Sequence, residues 1–516
     1  MPCINRQGYV IPINSISERE INKIETELVA IPNNTGGYGD LKPFSLYTKD
    51  KKNYYVPRYW GLDNIDKNPS VHFEETSNIK CRFSSKKSLF KEQPKIISEL
   101  VNCFVDMKKV KLKPYQNKFI NIGTGQGKTV LAIFMACFLK KRTLIVTNTD
   151  DLKNQWIDRI EEYTEDATIG YIKGKKYLID GCDFVIANIN SLMKSTLPLE
   201  ELLEDFDLVI YDEAHHYASM VFSNVMRRIV TPYSIALTAT LDRPDGLVHV
   251  LEWYLGDIGY KISGQLDYDI DIRVINFDTD DKSKFRELYL PKKDKFGKKV
   301  LNYSKMITNL TLIDERNQMI FDYVKDLLET EPERHIMMVS HRLPQLLYFK
   351  ELFEELGEEV GLIVGKGNKI PKEDLKSLVN KRIILGIDRL SGEALDIKSL
   401  CTVITLTPWK RILQVYGRAL RRDKKDYKYK PLFIDIVDQV SVFKNLHFSR
   451  LNQFKETYLN GEHSSLRYYD CNNKTKHKIT LSKEVDLKEF LKHKSKAKQI
   501  TNNHKLKTDP FESDED

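Results

Sequence analysis

The chain has 516 residues, of which 41% are hydrophobic and 30% charged, with 81 basic and 73 acidic side chains giving a net charge of +8. That composition excludes a disordered or membrane-embedded chain, leaves room for two to four domains, and suits a nucleic-acid partner without requiring one. Seven scattered cysteines without a CxxC pair argue against a disulfide framework or a zinc site. An apolar signal-like start and a run of about 18 apolar residues are both missing, so an intracellular protein with no membrane partner is expected.

Residues 1–84 mix apolar and aromatic runs (FSLYTKDKKNYYVPRYWGL) with turn-rich pieces, which predicts a small α+β accessory domain, a candidate for nucleic-acid binding. Between 85 and 262 the pattern becomes alternating. RTLIVTN (142–148), CDFVIAN (182–188), DLVIYDEA (207–214) and SIALTAT (234–240) are short β-branched runs of the buried parallel-strand type, separated by amphipathic stretches. Residues 263–306 are irregular and lysine-rich and read as a linker or insert. A second alternating block, 307–460, carries HIMMVSH, EVGLIVG, RIILGI, TVITLT and PLFIDIV. Two such blocks in succession predict an α/β fold with two parallel-sheet domains in tandem. The remainder, 461–516, is polar and basic, ends in ESDED, and is expected to be a flexible tail.

Four motifs carry chemistry. NKFINIGTGQGKTV (117–130) offers Gly125, Gly127, Lys128 and Thr129: glycines that let backbone N–H groups wrap phosphates, a lysine for the β/γ oxygens, and a hydroxyl for Mg²⁺. The general G-x4-GK[ST] pattern would place glycine at position 122, where Ile122 stands. LVIYDEAHH delivers Asp212 and Glu213 at a strand end, the first suited to hold magnesium through water and the second to polarise an attacking water. LTATLDRPDG brings Thr238-Ala239-Thr240 to the end of another strand. QVYGRALRR (414–422) is expected on a helix, with Arg418 and Arg421 on one face to stabilise charge on a transferring phosphoryl group.

The order GxGKT, DEAH, TAT and QxxGRxxR over about 85–460 resembles superfamily 2 helicases and translocases of the DEAH type. RPDG, YLGDIGYKI and DERNQMI (314–320) are similar to the subgroup of phage UvsW, XPB-type translocases and the transcript-release helicases of poxviruses and African swine fever virus. In that superfamily the first loop position is commonly small or aliphatic, which accounts for Ile122. The resemblance implies two RecA-like domains, ATP and Mg²⁺ as cofactors, and a nucleic-acid partner, with DNA favoured and RNA as the alternative. It further implies transcription or repair and recombination proteins as partners and, for a viral protein, the host cytoplasm and the virion as its location. It adds Gln126, His215, Asp396 and Gln414 to the nucleotide-binding set. Motif V has Ala394 for the usual glycine, and Val146 replaces a proline in motif Ia.

Related proteins place an adenine-binding glutamine ahead of a helix that precedes the loop strand. LKPYQ matches the form, but Gln116 leaves no room for a helix before Lys128. Gln93, followed by the amphipathic PKIISELVNCF, is the expected adenine contact. The implied activity is ATP hydrolysis between the two domains that moves the protein along DNA; an RNA or transcript-release motor is the alternative, and a nuclease subunit or non-catalytic binder is disfavoured by the intact Lys128, Asp212, Glu213 and Arg421 set.

Overall fold

A computed structural model describes residues 1–32, 43–74, 76, 78–86, 89, 93–122, 127–194, 198–238, 246–257, 269–293, 297, 299–364, 377–387, 397, 399–410, 412–420, 427–459, 463–472 and 478–492. Contacts divide the chain into two units, Met1–Gly264 and Gln265–Asp516.

The first unit is built on a seven-stranded sheet. Its strands are β1 (Gln116–Asn121), β2 (Thr143–Thr147), β3 (Ile169–Lys173), β4 (Lys176–Leu178), β5 (Phe184–Asn188), β6 (Leu208–Tyr211) and β7 (Tyr233–Thr238). They lie in the order β1-β7-β6-β2-β5-β3-β4, and all but the edge strand β4 run parallel. Both faces are covered, so the central strands are apolar throughout rather than alternating. Ile120, Ile145, Ile210 and Ile235 point to one face, with helices α2 (Gln93–Phe104), α3 (Lys128–Leu139) and α4 (Asp150–Tyr163) over them. Phe119, Val146, Val209, Tyr211 and Ala236 point to the other.

That second face explains the N-terminal segment. Its own five-stranded sheet and the short helix α1 (Arg58–Asn64) bury Ile4, Tyr9, Ile11 and Trp60 in one continuous core with the large sheet. Residues 1–84 are therefore a covering layer of the first unit rather than a separately cored domain. Two polar contacts reinforce the seam, a part-buried one from Arg6 to Asp207 and a buried one from Arg58 to Asn117.

The second unit holds an eight-stranded sheet. Its strands are β8 (Asp271–Phe277), β9 (His335–Ser340), β10 (Val360–Ile363), β11 (Ile383–Ile387), β12 (Leu400–Thr405), β13 (Leu432–Asp438), β14 (Ser465–Asn472) and β15 (Lys478–Glu484), in the order β10-β11-β9-β12-β13-β8-β14-β15. Two sequence expectations need correction here. The supposed linker 263–306 contains β8, which pairs in parallel with both β13 and β14 and buries Ile272, Val274 and Ile275. The supposed flexible tail contributes β14 and β15, with Leu466 fully buried against the sheet. Both segments gain an in-register partner strand, and backbone pairing offsets their polar composition. No helix of the described residues is long and apolar enough to cross a membrane.

Candidate active site

Because β1, β7, β6, β2 and β5 run parallel, their C-terminal ends collect along one edge of the first unit's sheet. Ligands in open α/β sheets gather on that edge. Gly125 and Gln126 lie outside the described residues. The chain resumes at Gly127 in a left-handed conformation (φ 74°, ψ 33°), which caps α3 and is easily adopted only without a Cβ. The first turn of α3 holds Lys128 and Thr129, with backbone N–H groups that have no partner four residues back. Such a helix start attracts phosphate. The Lys128 Nζ atom is buried and makes no hydrogen bond among the described residues.

Two strands away, β6 ends at Tyr211 and delivers Asp212 and Glu213, which are 7% and 9% exposed. Trp156 of α4 donates its indole N–H to Asp212 Oδ2 (2.8 Å), and the Glu213 backbone N–H donates to Oδ1 (3.0 Å). Glu213 itself is in the left-handed region (φ 48°, ψ 52°), a strained state for a side chain with a Cβ. His215 Nδ1 lies 3.3 Å from Glu213 Oε2 and 3.1 Å from Thr238 Oγ1 at the end of β7, so the DEAH and TAT motifs meet through this ring. Burial and the adjacent Glu213 carboxylate push Asp212 up, to about 6, against the pull of Trp156 and Lys128. Burial works the same way on Glu213, but Lys128 and His215 outweigh it and hold that carboxyl low. Burial also lowers His215, which favours the neutral ring.

The phosphate and magnesium chemistry fits these groups. A buried ammonium that makes no hydrogen bond, beside a helix start, is a cationic cradle with donors left for a phosphate. Both Asp212 oxygens already accept a hydrogen bond, which suits a cation held through water more than a direct ligand. Among the described residues no group of three or more His, Cys, Asp or Glu could cage a metal. Magnesium is commonly held by one or two carboxylates plus substrate phosphates.

Comparison with known proteins agrees with this constellation. The family model "Type III restriction enzyme, res subunit" matches residues 86–243. "Putative ATP-dependent RNA helicase L396" of Acanthamoeba polyphaga mimivirus is 29% identical over 89% of this chain and 86% of its own length. "Putative ATP-dependent RNA helicase QP509L" of African swine fever virus (isolate Pig/Kenya/KEN-50/1950) is 25% identical over 67% of this chain and 70% of its own. "DNA 3'-5' translocase XPB2" of Sulfurisphaera tokodaii is 33% identical over 30% of this chain and 36% of its own. The chain is similar to superfamily 2 helicases and translocases over most of its length. Its two mainly parallel α/β sheets are consistent with the RecA-like domains of such proteins, which use ATP, usually with Mg²⁺.

The fold brings Gly127, Lys128, Thr129, Asp212, Glu213 and His215 to one sheet edge. Gln93 is the first residue of α2 and is buried. Gln116 opens β1 at the other end of the strand and bonds the Asn117 carbonyl, so it stands far from the phosphate edge. Arg421 and Asp396 lie outside the described residues, as does the side chain of Gln414. The expected helix around Arg418 is a correction. A short α-turn (Leu413–Tyr416) tightens into a 3₁₀ turn at Gly417–Ala419, and Arg418 is buried there. Glycine weakens the helix at that point, while Tyr416 is tied into the core by bonds to Thr405 and Ile434. A shared helical face for Arg418 and Arg421 does not follow.

Two site residues had no role assigned from sequence. Trp156 positions Asp212, and its only signal is its place in TNTDDLKNQW. Asn148, at the end of β2, has both side-chain polar atoms buried without a partner among the described residues, on the same sheet edge.

Proposed function

We propose that the protein is an ATP-hydrolysing motor that moves along or remodels DNA. The observation that carries this reading is the buried cluster of Lys128, Asp212 and Glu213, in which the ammonium has no partner and the two carboxylates are driven apart in acidity. In this reading the α3 start and Lys128 bind the β and γ phosphates of ATP. Thr129 and Asp212 hold Mg²⁺, largely through water, and the ion supplies charge neutralisation on the phosphate oxygens. Glu213 orients the attacking water and accepts its proton. Its lowered pKa keeps it ionised, and the strained backbone fixes its direction. His215 links this carboxylate to Thr238 and so couples hydrolysis to the adjacent strand end. Gly125 and Gln126 complete the loop, Gln93 contacts adenine, and Asp396 and Gln414 add nucleotide contacts. Arg418 and Arg421 stabilise the transferring phosphoryl group.

The XPB2 relative supports DNA as the track, as does a basic chain built to engage a phosphate backbone. A second reading, an RNA or transcript-release motor, is favoured by the names of the two viral relatives, which cover more of the chain. Those relatives also support a viral source and thus action in host cytoplasm or virion, alongside transcription or repair proteins. ATP hydrolysis measured with single-stranded DNA, duplex DNA and RNA as activators separates the readings. Stimulation by DNA above RNA supports the first, RNA above DNA the second, and stimulation by neither overturns both.

A further inference from the structure

The opposite edge of the first unit's sheet, away from Lys128 and Asp212, carries two arginines from the N-terminal segment, Arg6 half-buried and Arg58 buried. Arg6 has its acid. Its NH2 lies 3.0 Å from Asp207 Oδ1, while Lys141 Nζ and Thr76 Oγ1 approach Oδ2 at 3.1 and 2.6 Å. Arg58 is 5% exposed and has none. Its NH1 donates to Asn117 Oδ1 (3.1 Å) and Pro232 O (3.4 Å), and its NH2 donates to Thr231 O (2.7 Å), all neutral oxygens. The rings of Phe73 and Tyr115 flank the guanidinium at 5.6 and 5.5 Å. Among the described residues no carboxylate pairs with it, and its Nε atom is buried without a partner. An isolated buried charge costs several kcal/mol by the usual desolvation argument, roughly that much per ion, so a counter-charge is expected.

A cavity of about 40 Å³ adjoins this arginine. Arg58 and Arg227 line it, and no aspartate or glutamate does. Ser234 also lines it, and its buried hydroxyl has no partner. Asn117 and Ser234 are direct neighbours in the β1–β7 register, so their side chains project from one face, the face that Arg58 covers. A single water needs about 10–15 Å³ by the same measure, which leaves room here for an ion of halide to phosphate size.

We propose that this cavity is a binding site for a small inorganic anion, chloride or phosphate, held by Arg58 Nε and the Ser234 hydroxyl with Arg227 beside them. The anion supplies to Arg58 what Asp207 supplies to Arg6, and it thereby fastens the N-terminal layer to the motor sheet. This site is separate from the nucleotide site and does not depend on the proposed activity.

Thermal unfolding of the full chain in potassium chloride, potassium phosphate and potassium gluconate at matched ionic strength tests it. The midpoint should rise with chloride or phosphate above its value in gluconate, logarithmically in anion concentration. Ser234→Ala should weaken the apparent anion affinity several-fold, and Arg58→Met should abolish the increment. Lys128→Ala should retain it, which distinguishes this site from phosphate bound at the nucleotide loop. Equal midpoints in the three salts, an increment untouched by Ser234→Ala, or one lost in Lys128→Ala would overturn the proposal.

Discussion

Both units bury ionic groups, and the ion pairs of the second unit contrast with the lysine at the sheet edge of the first. In the second unit the ions are paired. Arg316 grips Asp438 with two bonds of 2.6 and 3.0 Å, and both side chains are fully buried. Arg450 Nε lies 3.0 Å from both oxygens of Asp435, and His447 adds a contact of 3.0 Å. In the first unit, the Nζ atom of Lys128 is buried with no hydrogen bond among the described residues, beside two adjoining carboxylates, one on a strained backbone. Charge placed for folding is neutralised inside the fold. At the sheet edge the Lys128 ammonium faces two carboxylates but hydrogen-bonds to neither, which leaves its donors for a ligand and marks the site independently of any motif.

The comparison breaks most visibly at Asp438. Asp438→Ala strands Arg316 in the core and should cost about 3–5 kcal/mol of stability, read by urea unfolding. A loss under about 1 kcal/mol would mean the pair is not structural. Trp156→Phe removes a hydrogen bond to a buried carboxylate and should cost roughly 1.5–3 kcal/mol by the same measurement, with a weaker Mg²⁺ dependence of ATP hydrolysis. Lys128→Met should behave unlike either: unfolding unchanged or stabilised by up to about 1 kcal/mol, because an unpaired ammonium is replaced by an apolar side chain, while hydrolysis disappears. A large destabilisation would place Lys128 with the structural ions.

The smallest effect is in the acid slope of stability. Burial raises the pKa of Asp435, but Arg450 and His447 outweigh it and set it below the ordinary carboxylate range. Its ionised form therefore adds stability that is complete above the unfolded value of about 4 and is lost as pH falls through the lower folded value. Asp438 is raised, because burial exceeds the effect of Arg316, so it binds its proton more tightly folded than unfolded and offsets part of that loss. Asp435→Asn should flatten the stability curve below pH about 4, and Asp438→Asn should not.

Much of this was legible in the sequence where strands are buried on both faces. RTLIVTN, LVIYDEA and PLFIDIV stand out as unbroken apolar runs, and the charged residues that follow fall where the chain leaves the sheet. DIRVINF was not legible as β8 because Asp271 and Arg273 interrupt it. They bond each other at 3.0 Å, and Arg273 reaches Tyr323, partners that only the folded chain brings together. SLRYYDCN and KITLSKE lie toward the sheet margin with one wet face, so their polarity read as a tail. DERNQMI was legible as a family marker, but its reason, Arg316 on Asp438, spans 122 positions of chain. Trp156 was invisible for the same cause: its role is set by tertiary placement rather than by any local pattern.

The proposed role of Glu213 in activating the water is tested by steady-state ATP hydrolysis of wild type and Glu213→Gln with saturating DNA or RNA. Stimulation of the wild type and a fall in kcat of about 10²–10⁴-fold in the variant are expected, with ATP binding and unfolding midpoint preserved. Turnover that survives Glu213→Gln would contradict that role.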